Sequence, residues 1–449
     1  KYNPYFILDA SQTAETTDIE MDQNHLSAIC FTGHKGLFGP QGTGGIALAD
    51  GVCVKPLLSG GSGVHSFERK HPMELPAALE AGTLNGHGIA GLHAALDWIK
   101  KTGIAAIHEK EMALAEQFQR GIETIPGIHL YGGEKRVAAI VSCNLADLDS
   151  AYVSDCLAEN YGIATRAGAH CAPQIHTHFG TEKQGMVRFS FSCFNTTEEV
   201  EKAVGAMRDI AAENRGKVTA YVGAGGKTST IRKRAEELRT EGKRVLILTT
   251  TKMMRPQEQE IFAAYEQTGQ ESVILDTGAV SKECRAAEKQ LKERVQSVLD
   301  TYGCCVAGSL IPGTEKFGML PEKLMEDLLY LADEILIEAD GSAHMPVKAP
   351  AEYEPVLFPY MDEVVIVMGA HAIGKPLREV CHRVDYAKEL LKCDADKIVT
   401  AADIETLAEQ GYAIPIQKQF PWMKISKVTG KDIKLCLTAE KKDKVRDKQ

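Results

Sequence analysis

Short apolar runs alternate along this chain with longer stretches in which apolar residues recur every three to four positions, the pattern of an α/β protein. Tyr2 to Asp9 reads as a strand running into a site, and Gly86–Lys101 and Ile107–Ile122 read as amphipathic helices. Ala138–Cys143 and Val187–Phe194 read as strands. Thr196-Thr-Glu-Glu199 has the spacing of a capping box and opens a helix predicted to end near Ala212. The polar stretch Glu213-Asn-Arg-Gly-Lys217 then marks a boundary, which gives a first domain over 1–213 and a linker over 214–217. A new unit follows: strand Val218–Val222, a glycine loop, helix Ser229–Thr240, a Glu241-Gly-Lys243 turn and strand Arg244–Thr249. Further strands are predicted at Ser272–Leu275, Glu334–Glu338 and Glu363–Met368. The second domain is read as 218–417; beyond it the pattern weakens, and 418–449 reads as a lysine-rich, solvated tail.

A length of 449 residues supports two cores, as the patterning requires. The net charge of -10 argues against a general nucleic-acid binder, which needs a positive surface to displace counterions. No apolar run is long enough to span a bilayer and no basic-then-apolar leader is visible, so no membrane association and a cytoplasmic location are expected. The twelve cysteines contain no C-x-x-C pair, and only Cys304 and Cys305 are adjacent, so free thiols are expected rather than a zinc or dithiol centre.

Two runs in the first half carry chemistry. Thr32-Gly-His-Lys-Gly36 offers a lysine able to form a Schiff base, followed by the glycine-rich run Gly39–Gly45, which lets backbone approach a cofactor. Arg166-Ala-Gly-Ala-His-Cys171 places a thiol among an arginine, a histidine and glycine, neighbours that favour thiolate over the inert buried cysteine that is the commoner case. Pyridoxal phosphate chemistry needs such a lysine, an acid for the pyridine nitrogen, donors for the phosphate and a cation for the substrate carboxylate. Asp9 ends an apolar run and is placed to face a ring nitrogen, with Gln12 just beyond. His176-Thr-His178 lacks further ligands at metal spacing and reads as a loop.

Taken in order, Asp9-Ala-Ser-Gln12, Thr32-Gly-His-Lys35, Glu80-Ala-Gly-Thr-Leu-Asn85, Arg166–Cys171 and Val187-Arg-Phe-Ser190 resemble the class V aminotransferase family, and within it the cysteine desulfurases. The resemblance implies a fold-type I pyridoxal-phosphate transferase portion, acting as a homodimer. Lys35 would carry pyridoxal 5'-phosphate, Asp9 and Gln12 would meet its ring, and Thr32 and His34 would hold its phosphate with Thr83 from a second copy of the chain. Arg188 would bind the carboxylate of cysteine or selenocysteine, with Arg166 nearby, and Cys171 would take the sulfur as a persulfide and release alanine. The family's remaining large-domain residues would precede Lys1, so this polypeptide is expected to bind the cofactor poorly. An ordinary aminotransferase or lyase with an incidental Cys171 stays open at this point.

The second chemical run, Gly223-Ala-Gly-Gly-Lys-Thr228, is shorter than a full phosphate-binding motif, since Tyr221 stands where the leading glycine would be. It follows an apolar strand and opens a helix, the context in which backbone amides cradle phosphate. Gly223, Gly225, Gly226 and Lys227 are the candidate ATP or GTP contacts, with Thr228 as a magnesium ligand. Ile335-Leu-Ile-Glu-Ala-Asp340 ends a strand in two acids, Glu338 and Asp340, either of which could sit beside the metal; Asp340 is taken as the nucleotide and magnesium contact, and Thr249-Thr-Thr-Lys252 would share the same edge if the sheet is parallel. These runs, with Gly308–Lys316, Lys348-Ala-Pro350, Gly374-Lys-Pro376 and Cys381-His-Arg383, look like the YqeC-type accessory family of selenium-dependent molybdenum hydroxylases. The two resemblances together imply a P-loop-like α/β domain fused to a chalcogen-transferring enzyme, serving an acceptor protein or a molybdenum-cofactor enzyme. The rival from another class is a non-catalytic assembly factor switched by nucleotide.

Overall fold

The computed structural model describes residues 4–14, 17–61, 63, 67–132, 136–265 and 282–430. The expected strand Ser272–Leu275 and most of the lysine-rich segment, 431–449, lie outside the described residues. The chain is mixed α/β throughout, as the patterning predicts.

The first half holds two small sheets. In one, β1 (Ile7–Asp9) runs parallel to β2 (Ala28–Thr32), which pairs antiparallel with β3 (Gly44–Leu48). In the other, β4 (Ile128–Tyr131), β5 (Ile140–Leu145) and β6 (Val187–Ser190) form an antiparallel meander. Helices α1 (Gly86–Thr102), α2 (Ile104–Glu123), α3 (Ser150–Tyr161), α4 (Pro173–Phe179) and α5 (Thr197–Asn214) complete this half. Leu114, Phe118 and Ile122 of α2 and Val204, Met207 and Ile210 of α5 close over Val141, Cys143 and Phe189 of the meander. Both halves of the capping box form at Thr196 and Glu199. The His176–His178 run lies on α4, not in a loop: Pro173 supplies a preset first-turn φ, and Gly180 ends the helix left-handed at φ 73.

The second half is built on β7 (Lys217–Gly223), β8 (Val245–Thr249), β9 (Lys252–Met254), β10 (Phe262–Tyr265), β11 (Cys304–Leu310), β12 (Lys316–Gly318) and β13 (Glu334–Glu338). A short pair, β14 (Val347–Lys348) with β16 (Cys381–His382), stands apart, while β15 (Glu363–Gly369) and β17 (Lys424–Gly430) extend the main sheet. The order is β17-β15-β7-β13-β8-β11-β12-β9, with β10 also on β11. The strands from β17 through β11 are mutually parallel.

Parallel strands covered on both faces are apolar at most positions, and here the faces separate by parity. Val218, Ala220, Val222, Leu246, Leu248, Ile335 and Ile337 face one core, which α7 (Lys282–Tyr302) and α8 (Glu322–Leu328) supply with Leu291, Val295, Leu299, Leu324 and Leu328. Tyr221, Val245, Ile247 and Leu336 face the other, where α6 (Lys227–Thr240) lays down Ile231, Ala235 and Leu238. Each such fully buried aliphatic side chain contributes about 1.5–3 kcal/mol relative to exposure.

Two expectations change. The sheet continues past Gln417: Ile425 and Val428 of β17 reach opposite cores, while Lys424 and Lys427 pair with Glu363, Glu405 and Glu409. Lysines on an edge strand protect it from further pairing, and they also mask its apolar signal. The connector after α5 is only Arg215-Gly216, and it is tied down, for Arg215 grips Asp362 with two hydrogen bonds of 2.6 and 2.8 Å.

Candidate functional site

The nucleotide-type loop forms where β7 ends. Gly223 and Gly225 take φ of 92 and 80, and a Cβ on Gly223 would lie 2.2 Å from the Val367 carbonyl oxygen. Only glycine fits there, because the loop is pressed against the end of β15. Lys227 is buried, and its Nζ donates to the Gly223 carbonyl at 2.6 Å. Burial lowers its pKa, against the opposing charges of Glu338 and Asp340.

The parallel order brings three strand ends together. Thr228 Oγ1 donates to Glu338 Oε2 at 2.8 Å, and Thr249 Oγ1 donates to the Glu338 carbonyl at 2.9 Å. Burial holds the Glu338 carboxyl above the ordinary range, with Lys227 and Thr228 pulling it back. Of the two acids ending β13, Glu338 is thus the one on the Thr228 hydroxyl. Asp340 is fully buried and otherwise engaged. Lys348 Nζ bonds its Oδ1, while Oδ2 accepts from Tyr412 Oη at 2.7 Å and from the Gly223 amide at 3.1 Å. Lys348 also meets Glu354 at 2.8 Å, which Arg383 grips in turn. Sequence reasoning had Lys348 and Arg383 only inside longer runs, and Tyr412 gave no signal.

Cys171 sits on the turn between Arg166 and α4, with His170 and Cys171 both left-handed at φ 52 and 60. The turn is held by the His170 Nε2 bond to the Arg166 carbonyl at 2.8 Å and by buried His176, whose Nδ1 meets Thr181 Oγ1 at 2.9 Å. The His170 and His176 rings meet edge to face. Arg166 Nη2 donates to Cys171 Sγ at 3.3 Å. Arg166 and Arg188 are joined by backbone bonds of 3.2 and 2.8 Å, and the Arg188 guanidinium lies near enough to feel the charges of Arg166 and Cys171. Burial and then Arg166 lower the Arg188 pKa, while Cys171 opposes the shift. Arg188 Nε is buried with no hydrogen-bond partner among the described residues.

Asp9 ends β1 and accepts from the Ser11 amide at 2.9 Å; bonds from Ser11, with a smaller pull from Lys35, hold its carboxyl below the usual range. Thr32 Oγ1 and His34 Nδ1 are bonded at 2.8 Å, and Lys35, Gln12 and Thr83 are exposed. An ionised acid near a lysine, beside a hydroxyl–imidazole pair, is a donor set that fits pyridoxal phosphate. The Lys35 loop reaches toward the Arg188 strand through Phe38, Trp98 and Phe194, whose rings lie 5.2–5.6 Å apart.

Comparison with known proteins gives these geometries a family. Residues 1–203 match the class-V aminotransferase model and residues 219–385 match that of YqeC protein. The chain joins a class V aminotransferase domain to a YqeC domain. Relatives of the first include a "probable cysteine desulfurase" of Methanothermobacter thermautotrophicus, 33% identical over 211 residues, covering 46% of this chain and 53% of that one. A cysteine desulfurase of Synechococcus elongatus is 34% identical over 216 residues, 47% of this chain and 34% of its own. The apo structure of a cysteine desulfurase from Thermococcus onnurineus is similar at TM-score 0.43 and 30% identity, over 46% and 53% of the two chains. The chain spans about half the length of the first curated relative it matches. No helix among the described residues is long and apolar enough to cross a membrane.

Proposed function

We propose that the chain is a pyridoxal-phosphate-dependent cysteine desulfurase, open also to selenocysteine, joined to a nucleotide-binding accessory domain that serves maturation of a selenium-dependent molybdenum hydroxylase. The observation that carries the first part is the Arg166–Cys171–Arg188 cluster, with its unpartnered buried guanidinium nitrogen. Lys35, Asp9, Gln12, Thr32 and His34 would hold the cofactor, with Thr83 of a second copy in a homodimer. When bound, pyridoxal phosphate supplies the electron sink that lets the substrate Cβ–S bond break. Arg188 binds and orients the substrate carboxylate, Lys35 moves the Cα proton, and Arg166 donates to the Cys171 sulfur and holds it in place. The Cys171 sulfur forms an S–S bond to the substrate sulfur as its bond to carbon breaks, and the carbon skeleton leaves as alanine.

In the accessory domain, Gly223, Gly225 and Gly226 would present amides to phosphate. Lys227 would exchange its Gly223 carbonyl for a terminal phosphate, and Thr228 with Glu338 would hold magnesium. Asp340 supports this loop through the Gly223 amide. A chalcogen held on Cys171 reaches a tethered acceptor more efficiently than a free one, because tethering raises effective concentration. The test is mass spectrometry of Cys171 and alanine release after incubation with pyridoxal phosphate and cysteine. Persulfide on Cys171, absent in Cys171→Ala, is expected; equal sulfur transfer by Cys171→Ala overturns the reading. For the second domain, Lys227→Ala is expected to abolish ATP or GTP binding, and unchanged binding overturns it.

A further inference from the structure

The two domains are not merely strung together, for one helix belongs to both. The C-terminal part of α7 is core of the nucleotide half: Leu291, Val295 and Leu299 are buried there before the chain turns into β11. From the same stretch Lys292 Nζ reaches the other half, where it bonds Asp147 at 2.9 Å, and it also bonds Asp327 of its own half at 3.2 Å. Nearer its start, Arg285 Nη1 donates to the His178 carbonyl at 3.0 Å. His178 lies in the last turn of α4, whose first residue follows Cys171 by two. A guanidinium on a last-turn carbonyl satisfies an orphan acceptor and opposes the negative helix end.

The two halves also meet at Tyr330. Tyr330, just after α8, packs against the cores of both halves, and its Oη donates to the Pro126 carbonyl at 2.7 Å. A Cβ on Gly127 would lie 2.6 Å from the Tyr330 ring.

We propose that α7 is a strut through which the nucleotide-binding half holds α4, the helix that follows the Cys171 turn, with Arg285 as a positioning residue for the thiol. The assignment rests on the reading of Cys171 as the sulfur acceptor. It identifies the partner surface of the Cys171 layer as the chain's own second domain.

The test uses the full chain as parent, Arg285→Ala and Arg285→Lys. Hydrogen exchange is followed over 174–180, and iodoacetamide labelling of Cys171 is followed against pH by peptide mass spectrometry. Losing one charge-assisted bond is expected to speed exchange in α4 about tenfold. The pH profile of Cys171 labelling should move in Arg285→Ala, Arg285→Lys should restore most of both effects, and labelling of Cys156 should stay constant. Exchange and labelling equal to the parent in Arg285→Ala overturn the strut. A parent chain that shows the strut behaviour but forms no persulfide overturns the functional reading and leaves the strut standing.

Discussion

The Gly223–Thr228 loop and the Cys171 turn solve the same problem, holding polar atoms ready for a ligand, with opposite architectures. The first lies at the ends of parallel strands packed on both faces, so Lys227, Glu338 and Asp340 are buried and each is committed to a neighbour. The second is assembled from a turn and a short antiparallel strand, and Cys171 and Arg166 stand exposed with only Arg188 partly enclosed. A buried site is stabilised by its own network and must break a bond to receive a ligand. An exposed one depends on neighbours for its shape, here α4, His176 and, through Arg285, the other domain.

The sharpest way to break this contrast is to remove a charge from each region. Lys348→Met leaves the fully buried Asp340 without its counter-charge and is expected to cost about 3–5 kcal/mol, read from the urea midpoint. Arg166→Met, on an exposed side chain of the Cys171 turn, is expected to stay within about 0.5 kcal/mol. Equal losses would show that the two regions do not differ as burial says.

Next in size is Gly223→Ala. Its methyl would meet the Val367 carbonyl at 2.2 Å in a left-handed backbone, so the loop must move. A loss of about 1–3 kcal/mol, together with loss of nucleotide binding, is expected. Retained stability and binding would place the loop's rigidity elsewhere.

How much of this was legible in the sequence follows the same division. Strands β7, β8, β13 and β15 were readable because burial on both faces writes a continuous apolar run, and helix 197–214 because its capping box is local, whereas β10 and β11 were not among the expected strands. The lysines of β17 hid an edge strand, since Lys424 and Lys427 look like a solvated tail until Glu363, Glu405 and Glu409 are placed beside them. Which acid serves Thr228 was not decidable from spacing: Glu338 and Asp340 are two apart on one strand end, and their division of labour depends on Lys348 and Tyr412. The Arg285 and Tyr330 contacts join residues more than a hundred positions apart, so no local pattern could announce them.

Tyr330→Phe removes the hydroxyl that reaches Pro126 while keeping the ring that both cores share, and is expected to cost about 1 kcal/mol. Tyr330→Ala should cost about 3 kcal/mol or more if the ring packs both halves. A similar small loss in both would mean that the domains dock without it.

The smallest effect is the most diagnostic of how the halves meet. His129 Nε2 and Asp327 Oδ1 lie 2.6 Å apart across the domain boundary, with Lys292, Asp147 and Glu288 around them. Burial alone would lower the His129 pKa, but the bond and charge of Asp327 outweigh it and raise the value above 6.5. For Asp327, burial is likewise outweighed by His129 and Lys292, which hold it below 3.8. The raised histidine contributes fully below pH 6.5 and is lost as pH rises through its folded value. The depressed aspartate contributes above pH 3.8 and is lost as pH falls through its own. The pair therefore supports docking best between those limits. Because the imidazole is 34% exposed, the alkaline step should stay below about 1 kcal/mol. Unfolding midpoints measured from pH 5 to pH 9 should show that step in the parent and not in His129→Gln; an unchanged step in His129→Gln assigns it to another group and removes this pair from the interface account.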